Sequence, residues 1–195
     1  MNSRRGVLLS AVVVAMTLSA CGSTESSSES TSGGESTPPS TTRCPTAAPS
    51  SDVASEWEYQ GQTGKVAVTG STEGAAPRID VTTPFSVATT QVKTLKEGTG
   101  PVVGDTSTVS VCYLGVDGRD AKVFDSSYER GAPAEFPLDG VVTGFKKAIS
   151  GQKVGSTVAV AMSPEDGYPD GMPDAGIQKG DTLVFEIKIL STRAD

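Results

Sequence analysis

The 195-residue sequence contains no histidine. Without imidazole, neither a Ser-His-Asp nor a Cys-His nucleophile can be assembled, and a common zinc ligand is missing. No G-x-x-x-x-G-K-[ST] phosphate-binding loop occurs, and the three aspartates of "DGYPDGMPDAG" do not match the spacing of a Ca²⁺-binding loop. We therefore expect no cofactor and no metal site, and few residues remain for hydrolytic or redox chemistry.

Basic residues are also in deficit. The chain carries 16 Lys and Arg against 23 Asp and Glu, a formal charge of −7, and losing Arg4 and Arg5 with an export signal would make it −9. Binding to nucleic acid depends on neutralising phosphates with Lys and Arg. Nucleic acid is therefore not an expected partner.

Long apolar runs are limited to one stretch, Val7 to Leu18, which follows the basic pair Arg4 and Arg5. The run is too short to span a membrane, and its arrangement is typical of an export signal. The following "LSAC" is similar to the lipobox of bacterial lipoproteins, in which the cysteine is acylated. We expect residues 1–20 to be a lipoprotein signal peptide and Cys21 to anchor the protein by its lipid alone to the outer face of the cytoplasmic membrane. An ordinary signal with a chance cysteine is the alternative.

Large apolar residues are scarce between Cys21 and Asp52. Residues 21–52 are rich in Ser, Thr, Gly, Pro and Glu, so they cannot bury enough surface to offset the entropy of ordering, and they are predicted to form a disordered tether. Two cysteines remain, Cys44 and Cys112. Two unrelated thiols are the simpler interpretation; a disulfide, which an exported protein can keep, is the alternative.

Regular apolar patterns begin after the tether. Residues 53–87 contain the only tryptophan, Trp57, and short runs rich in Val and Thr, which predict a β-type extension. Beyond it, "TSTVSVCYLG", "STVAVAMSP" and "DTLVFEIKIL" alternate apolar and polar residues as half-buried strands do. One short helix fits between them, capped by Thr143 and ended by Gly151. Residues 88–195 are thus predicted to form one α+β domain of antiparallel strands and a short helix.

Several motifs in this region occur in the order of a known family. "VCYLG", "VFDSS", "EFPLDGVVTGFKKAISGQKVGS", "MSPEDGY" and "GDTLVFEIKIL" together resemble the FKBP family of peptidyl-prolyl isomerases, from about Val92 to Leu190. The resemblance implies a curved, five-stranded antiparallel half-barrel that wraps one short helix, with an apolar pocket between them. The residues that it implies for the pocket are Tyr113, Phe124, Asp125, Phe136, Val141, Val142, Phe145, Tyr168, Ile177 and Phe185.

The resemblance also implies roles for these residues. Tyr113, Asp125 and Tyr168 would be catalytic and the other seven would bind substrate. Phe145 would form the floor of the pocket, while the backbone N–H of Val142 and the hydroxyl of Tyr168 would hold substrate carbonyls.

Such an activity needs no nucleophile. An X–Pro amide rotates over tens to hundreds of seconds because twisting it breaks amide resonance, at a barrier of about 18–20 kcal/mol. The twisted carbonyl is less charge-separated than the planar one, so an apolar, water-poor pocket stabilises the transition state over the ground state. Asp125 is then expected to be an electrostatic and positioning group beside the twisted carbonyl, acting through a hydrogen bond to Tyr113, and not a base. The alternative is that Asp125 only closes an Asx turn with Ser126 and Ser127.

Three positions depart from the family pattern. Ala134 replaces a frequent aromatic residue, Asp166 a frequent tyrosine, and Pro169 a glycine. We expect a thinner pocket wall and an acidic rim, which should weaken large macrolide ligands more than short proline peptides.

The sequence as a whole predicts a monomeric, surface-tethered prolyl isomerase that acts on proline-containing unfolded or exported polypeptides. An FKBP-like chaperone or binding module with little isomerase activity is the alternative. A solute-binding lipoprotein is disfavoured, because the patterned region is too short for two lobes.

Overall fold

The computed structural model describes residues 43–194. A small antiparallel sheet comes first along the chain, in the order β1-β2-β3. Its strands are β1 (Trp57–Gln60), β2 (Thr63–Thr69) and β3 (Arg78–Ser86). These strands occupy the segment for which the sequence predicted a β-type extension.

A larger antiparallel sheet follows. Its strands are β4 (Gln91–Lys96), β5 (Thr108–Asp117), β6 (Val123–Ser126), β7 (Ala134–Pro137), β8 (Thr157–Met162) and β9 (Leu183–Arg193). The order across the sheet is β4-β8-β9-β5-β6, and β7 also pairs with β5. β7 pairs with the first half of β5 and β6 with the second, so these two short strands share one edge of the sheet. The predicted α+β fold of an antiparallel sheet and a short helix is confirmed: five strands form its main path, β7 is a sixth beside β5, and over residues 43–194 the sheet does not close into a barrel.

The main helix, α2 (Thr143–Ile149), packs on β8 and lies where the sequence predicted it. Gly151 follows its C-cap at φ +78°, a left-handed conformation that favours glycine and ends the helix. The predicted cap is wrong. Val142 is the N-cap residue, no side chain caps the helix, and Thr143 is its first residue.

A second, one-turn helix, α1 (Ser127–Arg130), was not predicted. The Ser126 hydroxyl accepts a hydrogen bond from the backbone N–H of Glu129 at 3.2 Å, and Gly131 ends the turn at φ +66°. The S-x-x-E spacing of Ser126 and Glu129 is a helix-start signal that could have revealed it. No helix among residues 43–194 is long and apolar enough to cross a membrane.

The larger sheet is covered on both faces. On one face, Leu183, Phe185, Ile187 and Ile189 of β9 pack with α2, as their alternation predicted. On the other face, Ala159 and Ala161 of β8 pack against the apolar side of the small sheet, which is why all six residues of β8 are buried. The residues that the small sheet and its exit contribute are Val66, Val68, Phe85 and Val87.

The segment before β1 is part of this fold. Cys44 is 3% exposed and forms a disulfide with Cys112 of β5, so the simpler interpretation of two unrelated thiols is wrong and the alternative of a disulfide is correct. Ala76 N–H also donates to the Ala47 carbonyl at 2.8 Å. The predicted tether of residues 21–52 is therefore wrong over residues 43–52, while the rest of it, the signal peptide and Cys21 lie outside the described residues. A crosslink between cysteines 68 positions apart stabilises a fold by about 4 kcal/mol through its effect on the unfolded chain.

Candidate active site

A cavity of about 340 Å³ lies between the larger sheet and the start of α2. It contains nine of the ten residues that the sequence predicted for the site, together with Gly140. The lining residues are Tyr113, Phe124, Asp125, Phe136, Gly140, Val141, Val142, Phe145, Tyr168 and Phe185. The tenth, Ile177, is 2% exposed and belongs to the apolar core beside the cavity instead of its lining.

The centre of the cavity wall is an aromatic cluster around Phe145. This ring stands edge-on to three others, with centroid distances of 6.0 Å to Tyr113, 5.7 Å to Phe136 and 5.5 Å to Phe185. Edge-to-face pairs of this kind favour one arrangement of the rings beyond the burial of their area. Phe145 is 5% exposed, so it has the place expected of a pocket floor.

One glycine makes this packing possible. Phe124 meets Phe185 edge-on at 5.3 Å above Gly115 of β5. A Cβ atom at Gly115 would lie 2.7 Å from the Phe124 ring and 2.9 Å from the Phe185 ring, closer than real Cβ contacts. The backbone of β5 thus approaches both rings because this position has no side chain.

The polar side of the cavity is a cluster of three groups. The Tyr113 hydroxyl donates a short hydrogen bond to Asp125, as the sequence predicted. Arg130 of α1 donates to the same carboxylate at 2.5 Å and to the Tyr113 oxygen at 3.0 Å, with its guanidinium 5.7 Å from the centre of the Tyr113 ring. The sequence analysis missed Arg130, because only the unpredicted α1 turn brings it back to Asp125.

This cluster sets the charge of its members. Burial raises the pKa of Tyr113 to about 12, and the hydrogen bond to Asp125 adds to the effect. Burial opposes ionisation of Asp125, but the hydrogen bond from Tyr113 and the contacts with Arg130 outweigh it, so the pKa of Asp125 is below its ordinary value. At neutral pH, Asp125 is an anion and Tyr113 a neutral donor, which is an arrangement for orienting dipoles and not for transferring protons.

Tyr168 reaches the cavity from the loop after β8, and that loop is attached at Asp166. The Asp166 carboxylate accepts from Lys147 of α2 at 2.7 Å and from the Thr90 hydroxyl at 2.6 Å. These contacts lower the pKa of Asp166. The carboxylate that replaces a tyrosine of the family pattern is therefore engaged in binding α2, and neither it nor Ala134 lines the cavity.

Within residues 43–194, no group of three or more Cys, Asp and Glu side chains is arranged to hold a metal ion. What the site offers is an apolar enclosure, one fixed carboxylate and the donor groups around it.

Comparison with known proteins agrees with this geometry. Residues 100–190 match the family described as FKBP-type peptidyl-prolyl cis-trans isomerase. A "Probable FKBP-type peptidyl-prolyl cis-trans isomerase" of Haemophilus influenzae is 36% identical over 122 residues, which are 60% of this chain and 50% of that protein. The chain thus spans about half the length of that relative.

Two shorter relatives are covered more fully. A "Probable FK506-binding protein" of Corynebacterium glutamicum is 40% identical over 84 residues, 43% of this chain and 70% of that protein. An "FK506-binding protein" of Streptomyces anulatus is 34% identical over 112 residues, 56% of this chain and 90% of that protein. The chain belongs to the family of FKBP-type peptidyl-prolyl cis-trans isomerases.

Proposed function

We propose that this protein catalyses cis–trans rotation about X–Pro bonds in polypeptides. The observation that carries the proposal is the cavity itself, in which aromatic rings from four strands and α2 enclose an apolar space beside the Asp125 cluster. Its volume of about 340 Å³ is near the lower end for small-molecule sites. A space of this size suits one proline ring and the carbonyl groups next to it.

In this proposal the chemistry belongs to the substrate, and the protein supplies the surroundings. The proline ring packs on Phe145, the backbone N–H of Val142 and the hydroxyl of Tyr168 hold substrate carbonyls, and Asp125 faces the rotating amide. The apolar walls favour the twisted, less charge-separated amide over the planar one. Lowering the barrier by about 5.5 kcal/mol in this way accelerates rotation by roughly four orders of magnitude.

A protease-coupled assay on a short proline peptide tests the activity. We expect the purified protein to accelerate isomerisation, and Tyr168→Phe to lower kcat/KM by about fivefold, the effect of losing one neutral hydrogen bond. Tyr59→Phe, a matched change in β1 away from the cavity, should leave the rate unchanged. If the wild-type protein suppresses aggregation of unfolded chains without accelerating rotation, it is a binding module and the proposal fails.

We further propose that the protein works outside the cytoplasm, on exported polypeptides. The buried Cys44–Cys112 disulfide supports this location, since disulfides persist in oxidising compartments and are rare in the cytosol. We also propose that the protein is a monomer and that a lipid on Cys21 is its only contact with the membrane. Mass spectrometry of the membrane-bound protein tests the anchor, because diacylated Cys21 should be its first residue.

A further inference from the structure

A second hollow, of about 360 Å³, lies on the side of β6 away from the candidate active site. We call it the rear groove. Its floor and walls are largely apolar, and the segment before β1 and the residues leading into β3 form one wall. The apolar residues that line it are Ala48, Pro49, Ala76, Pro77, Leu114 and Val123, and its polar lining includes Arg78, Ser126 and Glu129.

Strand β6 separates the two hollows. Its residues Phe124 and Asp125 line the candidate active site, whereas Val123 and Ser126 line the rear groove. β6 is the last strand of its row, and among residues 43–194 it pairs only with β5. A chain that leaves the active site across β6 would therefore pass an unpaired strand edge and arrive at an apolar surface.

We propose that the rear groove binds the flanking segment of the same polypeptide whose proline occupies the active site. This inference rests on the proposed function, since it assumes an extended, unfolded substrate. Such a chain offers free backbone groups to a strand edge and apolar side chains to a groove, which is how sheet edges bind extended peptides. Val123, 46% exposed on the rim, gives that segment its first apolar contact after Phe124.

The neighbouring part of this chain is a poorer occupant. Arg43, the first described residue, lines a different hollow together with Lys188 and Leu190. Arg43 does not line the rear groove, so the described part of the chain begins at that other hollow. The substrate, in contrast, is already held on the other face of β6.

The geometry sets the length of substrate that can reach the groove. Crossing a sheet means a path of about 10 Å, and an extended chain advances about 3.3 Å per residue. Residues roughly three to six positions from the proline should occupy the rear groove, so a four-residue peptide is too short. Apolar residues at those positions should raise kcat/KM, and only in longer substrates.

The experiment compares a four-residue proline peptide with longer peptides that carry an apolar flank on either side of the same X–Pro bond. NMR exchange measures kcat/KM of the full chain without a protease. We expect Ala48→Glu, which places a carboxylate in the groove at an exposed coil position, to lower kcat/KM for one longer peptide by about three- to tenfold, the effect of losing one buried apolar contact. The four-residue peptide should be unaffected. Ala47→Glu is the matched control, because Ala47 is the exposed neighbour of Ala48 and does not line the groove.

A readout independent of activity separates this inference from the proposed function. A photoreactive residue in the flank of the longer peptide should crosslink to residues 46–49 or 76–78, and Ala48→Glu should reduce that yield. Crosslinks elsewhere, or equal ratios of long-peptide to short-peptide kcat/KM in both variants and the wild type, would overturn the inference. A change of sedimentation with Ala48→Glu would assign the groove to a second copy instead. If no peptide is isomerised but the crosslinks appear, the proposed function fails and the groove stands.

Discussion

At the scale of single residues, Asp125 is held by two donors that differ in kind. Tyr113 is a neutral donor from the middle of β5, whereas Arg130 is a cation from the one-turn helix that follows Asp125 itself. Together they occupy both carboxylate oxygens, so the side chain has one orientation beside the cavity. The lowered pKa of Asp125 follows from these contacts, and it makes the residue unsuited to accepting a proton.

The predicted consequence is that charge, and not proton affinity, is what Asp125 supplies. Both Asp125→Leu and Asp125→Asn should lower kcat/KM for a short proline peptide by about tenfold, the effect of losing one charge-assisted hydrogen bond near the substrate. The protein should stay folded, since Asp125 and Arg130 are both partly exposed and such ion pairs contribute little to stability. Circular dichroism and urea unfolding check the fold. Asp80→Asn, in β3, is the control for loss of a carboxylate, and an unchanged rate in both Asp125 variants would leave only the turn-closing role.

At the scale of elements, the loop that carries Tyr168 is attached through Asp166 to two other parts of the fold. Lys147 ties Asp166 to the second turn of α2, and Thr90 ties it to the residue just before β4. Asp166 and Tyr168 are two positions apart, so movement of one carries the other. The Asp166 carboxylate therefore acts through the position of Tyr168, and through α2, which carries Phe145.

This arrangement predicts a loss of substrate affinity when the attachment is removed. Asp166→Ala and Lys147→Ala should each raise KM by about two- to fivefold with a smaller effect on kcat, because a looser loop holds the Tyr168 hydroxyl less well. The double variant should be no worse than Asp166→Ala, since that change already removes the ion pair together with the Thr90 contact. Lys146→Ala, on the adjacent helix position, is the matched control. Fully additive effects in the double variant would show that the two residues act separately.

The elements also show what the sequence could and could not reveal. The alternation of β5 and β9 and the spacing of Phe145 and Ile149 predicted the sheet and the helix, because burial on one face imposes those periods on the sequence. The aromatic lining was implied only by the resemblance to the family. Ile177 was assigned to the pocket by the same resemblance, but its side chain is buried in the core beside the cavity. Arg130 was missed because its role depends on a single helical turn.

Other errors came from contacts between segments distant in sequence. Residues 43–52 have the composition of a tether, but the disulfide to Cys112, backbone pairing near Ala76 and a hydrogen bond from Arg78 to the Ser50 carbonyl hold them on the domain. The complete burial of β8 likewise depends on the small sheet, and no local pattern in β8 predicts that the small sheet covers it. The composition of a segment predicts only what that segment does alone, whereas these contacts depend on which distant segments the fold brings together.

At the scale of the whole molecule, a buried carboxylate connects three parts of the fold. Glu186 of β9 is completely buried; one oxygen accepts from the Ser71 backbone N–H of the small sheet's loop at 2.8 Å, and the other from the Tyr128 hydroxyl of α1 at 3.0 Å. Burial raises the pKa of Glu186 to about 7, although both hydrogen bonds oppose the rise. Burial, reinforced by the charge of Glu186, also raises the pKa of Tyr128.

Stability should therefore depend on pH in a defined direction. The folded-state pKa of Glu186 lies above its ordinary value of 4.5, so the folded protein holds this proton more tightly than the unfolded chain does. Its contribution is fully favourable below about pH 4.5 and is lost as the pH rises to about 7, at a total of about 3 kcal/mol. Asp117, whose pKa burial raises to about 6, acts in the same direction at lower pH, which makes the interval from about pH 6 to 7.5 the one that isolates Glu186.

Urea unfolding across that interval should show falling stability in the wild type and a flat profile in Glu186→Gln, which keeps the shape without the charge. Exposed Glu135→Gln should follow the wild type, and a wild-type stability that is flat over this interval would mean that Glu186 is already ionised in the folded protein.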